Sequence, residues 1–237
     1  MSQRPSRRHA PTPSARGPQK VEVEVEAPPL WGRQSVIAMV AMAVLIAAVA
    51  GAGWLVNKSL EPPVPAALAN CKTSAQTGPH QFIGPQPMCI TARQILDATI
   101  HTQSGDVVIR LAPEVAPVTV NNFVVLAIHG FYNGLAFWKV EDWVVQAGDP
   151  RNDGRGGPGY VLPDETTVTP WGQGAVGMAR VPGGQVNGSQ FFIQKGGWPG
   201  SGPTAVYNRF GTVTAGMDKV LGLTNTDTIT SITIKVS

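Results

Sequence analysis

Few residues in this chain stand at spacings that support acid–base, metal or nucleophilic chemistry. The four histidines, His9, His80, His101 and His129, show no metal-ligand spacing, so solvated or core positions are the simpler reading. No G-x-S-x-G nucleophile elbow occurs. Gly154-Arg155-Gly156-Gly157-Pro158-Gly159 fits the letter of G-x-G-x-x-G. A dinucleotide site would need a helix to open there, and Tyr160-Val161-Leu162-Pro163 follows instead, so a loop is expected. Asn187-Gly188-Ser189 has the form of a glycosylation acceptor, a motif too short to carry weight. Cys71 and Cys89 are the only cysteines and lie too far apart for a redox CxxC. They read most simply as one disulfide in an oxidising compartment, the alternative being two unpaired buried thiols. What remains is the strand-like run Gln190–Ile193. Strand alternation there puts Gln190 and Phe192 on one face, with Phe191 and Ile193 on the other.

The elements that must position these residues are short. Strands are expected over Ala98–Thr102 and Asp106–Leu111, joined through Gln103-Ser104-Gly105, where Gly supplies a positive φ. Pro117 suits the first turn of a helix whose Val120, Phe123, Val124 and Ala127 recur at helical spacing, and Gly130 stops it. Further strand-like runs are Ala136–Val140, Trp143–Ala147, Gly174–Ala179, Gln190–Ile193, Arg209–Val213 and the alternating Ile232–Val236, with one short helix over Met217–Leu221. With 27 Gly and 21 Pro and only 14% charged residues, the chain is neither a helical bundle nor disordered throughout. Many short strands with two helices predict a closed β-barrel or a sandwich.

Charge and hydropathy divide the chain. Residues 1–34 carry six basic and three acidic side chains, which is the whole net charge of +3, because the twelve basic and twelve acidic residues after position 56 cancel. The body therefore has no electrostatic case for binding nucleic acid. Residues 1–34, rich in Pro, Ser and Arg, read as a disordered basic tail. Residues 35–56 are uncharged and almost wholly apolar, and as a helix of ~33 Å they would cross a ~30 Å hydrocarbon core. Trp31 and Trp54 stand near its two ends. The stretch is longer and starts later than the core of a signal peptide, so an uncleaved anchor contacting membrane lipid is expected. The basic tail places the N-terminus in the cytoplasm and the body outside. Residues 57–97 form a linker that holds the Cys71–Cys89 loop, and 98–237 form the body.

One ordered set of strings is specific. Ala116-Pro-Val-Thr-Val-Asn-Asn-Phe123 is followed by Gly130-Phe-Tyr-Asn-Gly134 and Phe137-Trp-Lys-Val140. Then come Gln146-Ala-Gly-Asp-Pro150, Gly156-Gly-Pro-Gly-Tyr160, Asp164-Glu165, Met178-Ala179, Asn187-Gly-Ser-Gln-Phe-Phe-Ile193 and Phe210-Gly211. The set resembles the cyclophilin-type peptidyl-prolyl cis-trans isomerases, in a bacterial form. The resemblance spans Ala98 to Ser237 and implies a mainly β fold: a closed, eight-stranded antiparallel barrel with two capping helices. It implies a groove floored by Trp143, Val144, Phe192 and Tyr207. Gln146, Ala179 and Gln190 would hold the peptide backbone and orient the catalytic side chain, and Arg180 would stand at the rim as a second cation or in a salt bridge. Trp198 lies near the place of the family's rim tryptophan, in a loop of different length. Lys139 stands where the family has Arg, Trp138 where His is common and Ala147 where Gly is preferred. Phe137 to Gln146 is one residue shorter than the family spacing, a deletion expected to be absorbed in the Glu141-Asp142 turn.

The chemistry implied is rotation about an X-Pro amide. Delocalisation of the nitrogen lone pair opposes that rotation by ~18–20 kcal/mol, and unaided isomerisation takes tens to hundreds of seconds. A cation donating to the prolyl nitrogen favours the localised lone pair of the twisted state, so the stabilisation is specific to the transition state. The catalytic set is then Lys139, Gln146 and Gln190, with no metal or cofactor. Lys supplies the charge without the rigid fork of Arg, which predicts a weakened enzyme. The expected role is a monomeric isomerase assisting the folding of proline-containing polypeptide segments outside the membrane. The alternative is a membrane-anchored proline-binding or scaffolding module with little or no activity.

Overall fold

The computed structural model describes residues 42–45, 63–165, 170–181, 184–199 and 206–237. The chain divides into two units, Met1–Leu60 and Glu61–Ser237. In the first, only 42–45 are described, and they are helical and exposed. The tail expected over 1–34 and most of the span expected over 35–56 lie outside the described residues. Among those described, no helix is long and apolar enough to cross a membrane.

The second unit is mainly β. Strand β3 (Leu96–Thr102) and β4 (Gly105–Leu111) form the expected hairpin, with Gly105 at φ 117°. They follow β1 (Gln76–Gly78) and β2 (Gln81–Phe82), a small separate hairpin that the sequence did not signal. Helix α1 (Pro117–Ile128) comes next. Five strands follow: β5 (Lys139–Val140), β6 (Val144–Ala147), β7 (Val161–Leu162), β8 (Ala175–Arg180) and β9 (Val186–Gln194). The chain ends with β10 (Arg209–Ala215), α2 (Met217–Gly222) and β11 (Ile229–Val236). The large sheet is antiparallel in the order β11-β3-β4-β10-β8-β9-β6-β5, with β7 paired to β9.

A closed eight-stranded barrel was expected; the described residues form nine strands in one curled sheet. Its two ends meet at a single bridge, Ala136 to Thr228, supported by Gly134 N–H donating to Ile229 O at 2.7 Å and Phe137 N–H to Asp227 O at 3.0 Å. The seam is short because β5 is two residues long and turns at once through Glu141. The inner face holds an aromatic core in which Phe123 packs against Tyr132, Phe191 and Phe210 at 5.1–5.6 Å between ring centres. Phe137 is buried with them.

Helix α1 is buried on nearly every side from Thr119 to Ala127, which a surface helix is not. The reason is the segment before β3. Residues 63–95, expected to be a linker, belong to the folded unit, with Leu68, Phe82 and Ile90 buried in the common core. This arm is closed by the Cys71–Cys89 disulfide, whose Cα atoms are 5.3 Å apart. Buried Asn121 of α1 fixes it. Its amide oxygen accepts from Cys89 N–H at 2.8 Å and its NH2 donates to Pro87 O at 3.0 Å. The N-terminus of α1 is capped from elsewhere: the Glu165 carboxylate accepts from Val118 and Thr119 N–H, both at 2.8 Å.

Candidate functional site

Three hairpin registers assemble a row across the outer face of the sheet. Lys139 of β5 stands opposite Gln146 of β6, Gln146 opposite Phe192 of β9, and Phe192 opposite Gly177 of β8. Directly opposed residues share a face, so Lys139, Gln146 and Phe192 point the same way. A tight turn follows β5, in which Glu141 N–H donates to Val144 O at 2.8 Å. It leaves the charged and the amide side chain in register.

The amides are rigidly set. Gln190 is buried and its NH2 donates to Gly156 O at 2.8 Å and Gly154 O at 3.2 Å. Its amide oxygen is thereby turned to accept from Gln146 NH2 at 2.8 Å. The Gly-rich string that mimics a dinucleotide motif therefore supplies carbonyl acceptors that orient Gln190. Asn187 is 3% exposed, and its amide oxygen accepts from Ser189 and Gln190 N–H, both at 2.9 Å. The would-be glycosylation motif is thus an internal brace of β9. Behind it, Gln86 of the arm donates to the Tyr160 hydroxyl at 2.9 Å, Tyr160 donates to Asn122 at 2.6 Å, and Asn122 donates to Gly188 O at 2.7 Å. Burial pushes the Tyr160 phenol up to about 12, although the bond from Gln86 pulls it the other way.

Beside the amides is a second apolar cluster, separate from the core. Val144, Ala179 and Phe192 are buried in it, with Trp143, Trp171, Trp198 and Tyr207 packed against them. Every residue expected to floor the groove is present. Phe192 and Tyr207 meet edge to face at 5.2 Å, and Trp198 stacks on Tyr207 at 5.7 Å. Trp171 was not anticipated. It lies flat on Phe192 with ring centres 5.5 Å apart, and no periodicity in its loop could have announced it.

Two charged groups behave distinctly. The Lys139 ammonium is 3.3 Å from the Glu141 carboxylate and 5.5 Å from the centre of the Trp143 ring. Glu141 also accepts from the Trp143 indole N–H at 2.6 Å, so one carboxylate holds both the cation and an aromatic wall. The Arg180 guanidinium is spent as a strap. It donates to Val206 O at 2.5 Å, to Gly184 O, and to Asp164 Oδ1 at 2.8 Å, tying three loops together at the rim. Of the two roles open to it, the rim salt bridge is the one that the geometry contains. Arg209, opposite Gly177, extends the same row, and burial lowers its pKa. Its place on the outer face follows from register, which a single strand read alone does not disclose. The arrangement offers an apolar aromatic hollow flanked by amides and a cation, a form suited to a small apolar ring joined to a peptide backbone.

The comparisons agree with this geometry. Residues 97–236 match the family model described as "Cyclophilin type peptidyl-prolyl cis-trans isomerase/CLD". A protein of Staphylococcus saprophyticus named "Putative peptidyl-prolyl cis-trans isomerase" is 41% identical over 119 residues, covering 42% of this chain and 60% of that protein. One from Staphylococcus aureus with the same name is 37% identical over 123 residues, covering 44% of this chain and 62% of the relative. The chain thus spans about 60% of the length of these curated relatives. Among solved structures, the cyclophilin type peptidyl-prolyl cis-trans isomerase of Cryptosporidium parvum is similar with a TM-score of 0.53 and 26% identity. It covers 60% of this chain and 98% of its own. The same protein in the presence of the dipeptide Ala-Pro gives a TM-score of 0.52 at 26% identity, covering 59% of this chain and 98% of its own. With the curled antiparallel sheet, the aromatic floor and a family match over more than half its length, the chain belongs to the cyclophilin-type peptidyl-prolyl cis-trans isomerase family.

Proposed function

We propose that the domain isomerises X-Pro bonds in proline-containing polypeptide segments and that Lys139, Gln146 and Gln190 do the polar work. The observation that carries this reading is the row of Lys139, Gln146 and Phe192 on three adjacent strands, with Gln146 bonded to buried Gln190. Phe192 with Val144 and Tyr207 seats the proline ring. The amides hold the flanking backbone, and the Lys139 ammonium faces the prolyl nitrogen as the amide twists. No proton changes hands. The Ala-Pro dipeptide used with the Cryptosporidium relative supports proline as the recognised residue.

The proposal extends to place and purpose. The apolar stretch 35–56 tethers the domain to a membrane, with the basic tail on the cytoplasmic side and the isomerase outside, where it assists folding. A disulfide in the arm suits an oxidising compartment. A second reading, a proline-binding module of low activity, is favoured by one observation: the cation next to Gln146 in the row is a lysine already paired to Glu141.

A protease-coupled assay on an Ala-Ala-Pro-Phe anilide tests the first reading. Catalysed isomerisation that is lost in Phe192→Ala, with circular dichroism unchanged, is the expected result. A folded protein that binds the peptide without accelerating isomerisation would establish the second reading.

A further inference from the structure

We propose that Trp171 occupies, in the free protein, the seat on Phe192 that a substrate proline takes, and that it thereby sets the affinity of the site. This rests on the reading of Phe192 as the floor of the groove. Phe192 points to the outer face of the sheet, yet it is only 4% exposed. Its cover comes from rings carried by loops. Trp198 meets it edge on at 5.9 Å and Tyr207 edge on at 5.2 Å, so both stand as walls. Among the described residues, Trp171 alone is stacked on it, at 5.5 Å with planes 21° apart.

The sheet beneath is shaped to admit this stack. Gly177 stands directly opposite Phe192, and a Cβ there would come within 2.5 Å of the Trp171 six-membered ring and 2.9 Å of the Phe192 ring. The absent side chain is what lets both rings settle on β8. Trp171 itself precedes Gly172, where an added Cβ would meet nothing, and Gly174, which has φ 83°. Those two glycines give the backbone room to swing the indole aside while Gly174 N–H stays anchored on Gln194 O at 2.8 Å. A proline ring and an indole are both compact apolar bodies that pack on an aromatic face, and they compete for the same face of Phe192. Substrate then binds only the fraction of molecules in which Trp171 has left, and the apparent Kd is raised by the reciprocal of that fraction.

The test is titration of the full-length chain with Ala-Ala-Pro-Phe peptide. Trp171→Ala should bind about threefold to tenfold more tightly than wild type, the range of one aromatic pair, and Trp171→Phe should fall between them. Binding by Trp171→Ala that is equal to or weaker than wild type would overturn the proposal, because Trp171 would then be neutral or a wall of the pocket. A measurement on the wild type guards against a poorly folded variant. The Trp171 indole N–H resonance, assigned by its loss in Trp171→Phe, should exchange faster with solvent when peptide saturates the site. Unchanged or slower exchange would also refute it. If neither wild type nor Trp171→Ala bound the peptide, the reading of the groove would fall, and with it the role of Trp171. If wild type bound and Trp171→Ala bound no better, only the latter would fall.

Discussion

Replacing Lys139 should separate a working isomerase from a binding module. A preorganised donor in a water-excluded site is worth ~2.7–4 kcal/mol to a transition state. Lys139 falls short of that, because its side chain is 31% exposed and its charge is shared with Glu141 at 3.3 Å. We expect Lys139→Ala to lose ~1–3 kcal/mol of transition-state stabilisation, a fall of about one to two decades in kcat/KM. Lys139→Arg should raise kcat/KM, by about threefold to tenfold, because a guanidinium can bond Glu141 with one N–H and keep another for the prolyl nitrogen. Peptide affinity should change little in either variant, since the interaction strengthens only as the amide twists. Both are measured by protease-coupled isomerisation, with peptide binding followed separately. If Lys139→Ala kept wild-type kcat/KM, the cation would have no part in the reaction. The geometry of the row would then have been misread, and Arg209 at its other end would be the residue to test next.

Other outcomes follow from the fold. Reducing Cys71–Cys89, with a sequence separation of 18, should remove ~3 kcal/mol in the chain-entropy model and lower the Tm by roughly 6–12 °C; a shift under about 2 °C would show that the packed arm holds itself. Tyr160, neutral when folded up to about 12, ionises near 10 when unfolded. Stability is therefore fully present below pH 10 and should fall by on the order of 2–3 kcal/mol as pH rises to 12. Tyr160→Phe should flatten that slope by about one proton in denaturation experiments, leaving the share of buried Tyr132, whose phenol burial also raises. Gly148→Ala should destabilise by about 2–4 kcal/mol in chemical denaturation, because φ is 86° there and the new methyl would fall on the Ser189 carbonyl; a loss below ~1 kcal/mol would mean that the β6 exit relaxes easily.

Much of the local structure was legible in the residues. The β3–β4 hairpin, α1 and the pairing of Gln190 with Phe192 on one face all follow from backbone periods of 2.0 and 3.6, which any short window of sequence carries. The disulfide followed from there being only two cysteines, both beyond the apolar stretch. The ordered motifs pointed to the family, whose model spans 97–236. Other features depend on segments far apart in the chain. The arm looked like a linker because its apolar residues have no period; it packs because α1 has a second face to cover, and Asn121 reads as a polar helix residue until Cys89 is beside it. Gln190 reads as a plain strand residue until the Gly154 and Gly156 carbonyls, more than thirty residues back, turn its amide. Trp171 reads as a loop residue until Gly177 leaves room for it on Phe192. Periodicity is a property of one segment's backbone, whereas register, burial of a second face and ring stacking are properties of pairs, and only the folded chain brings the partners together.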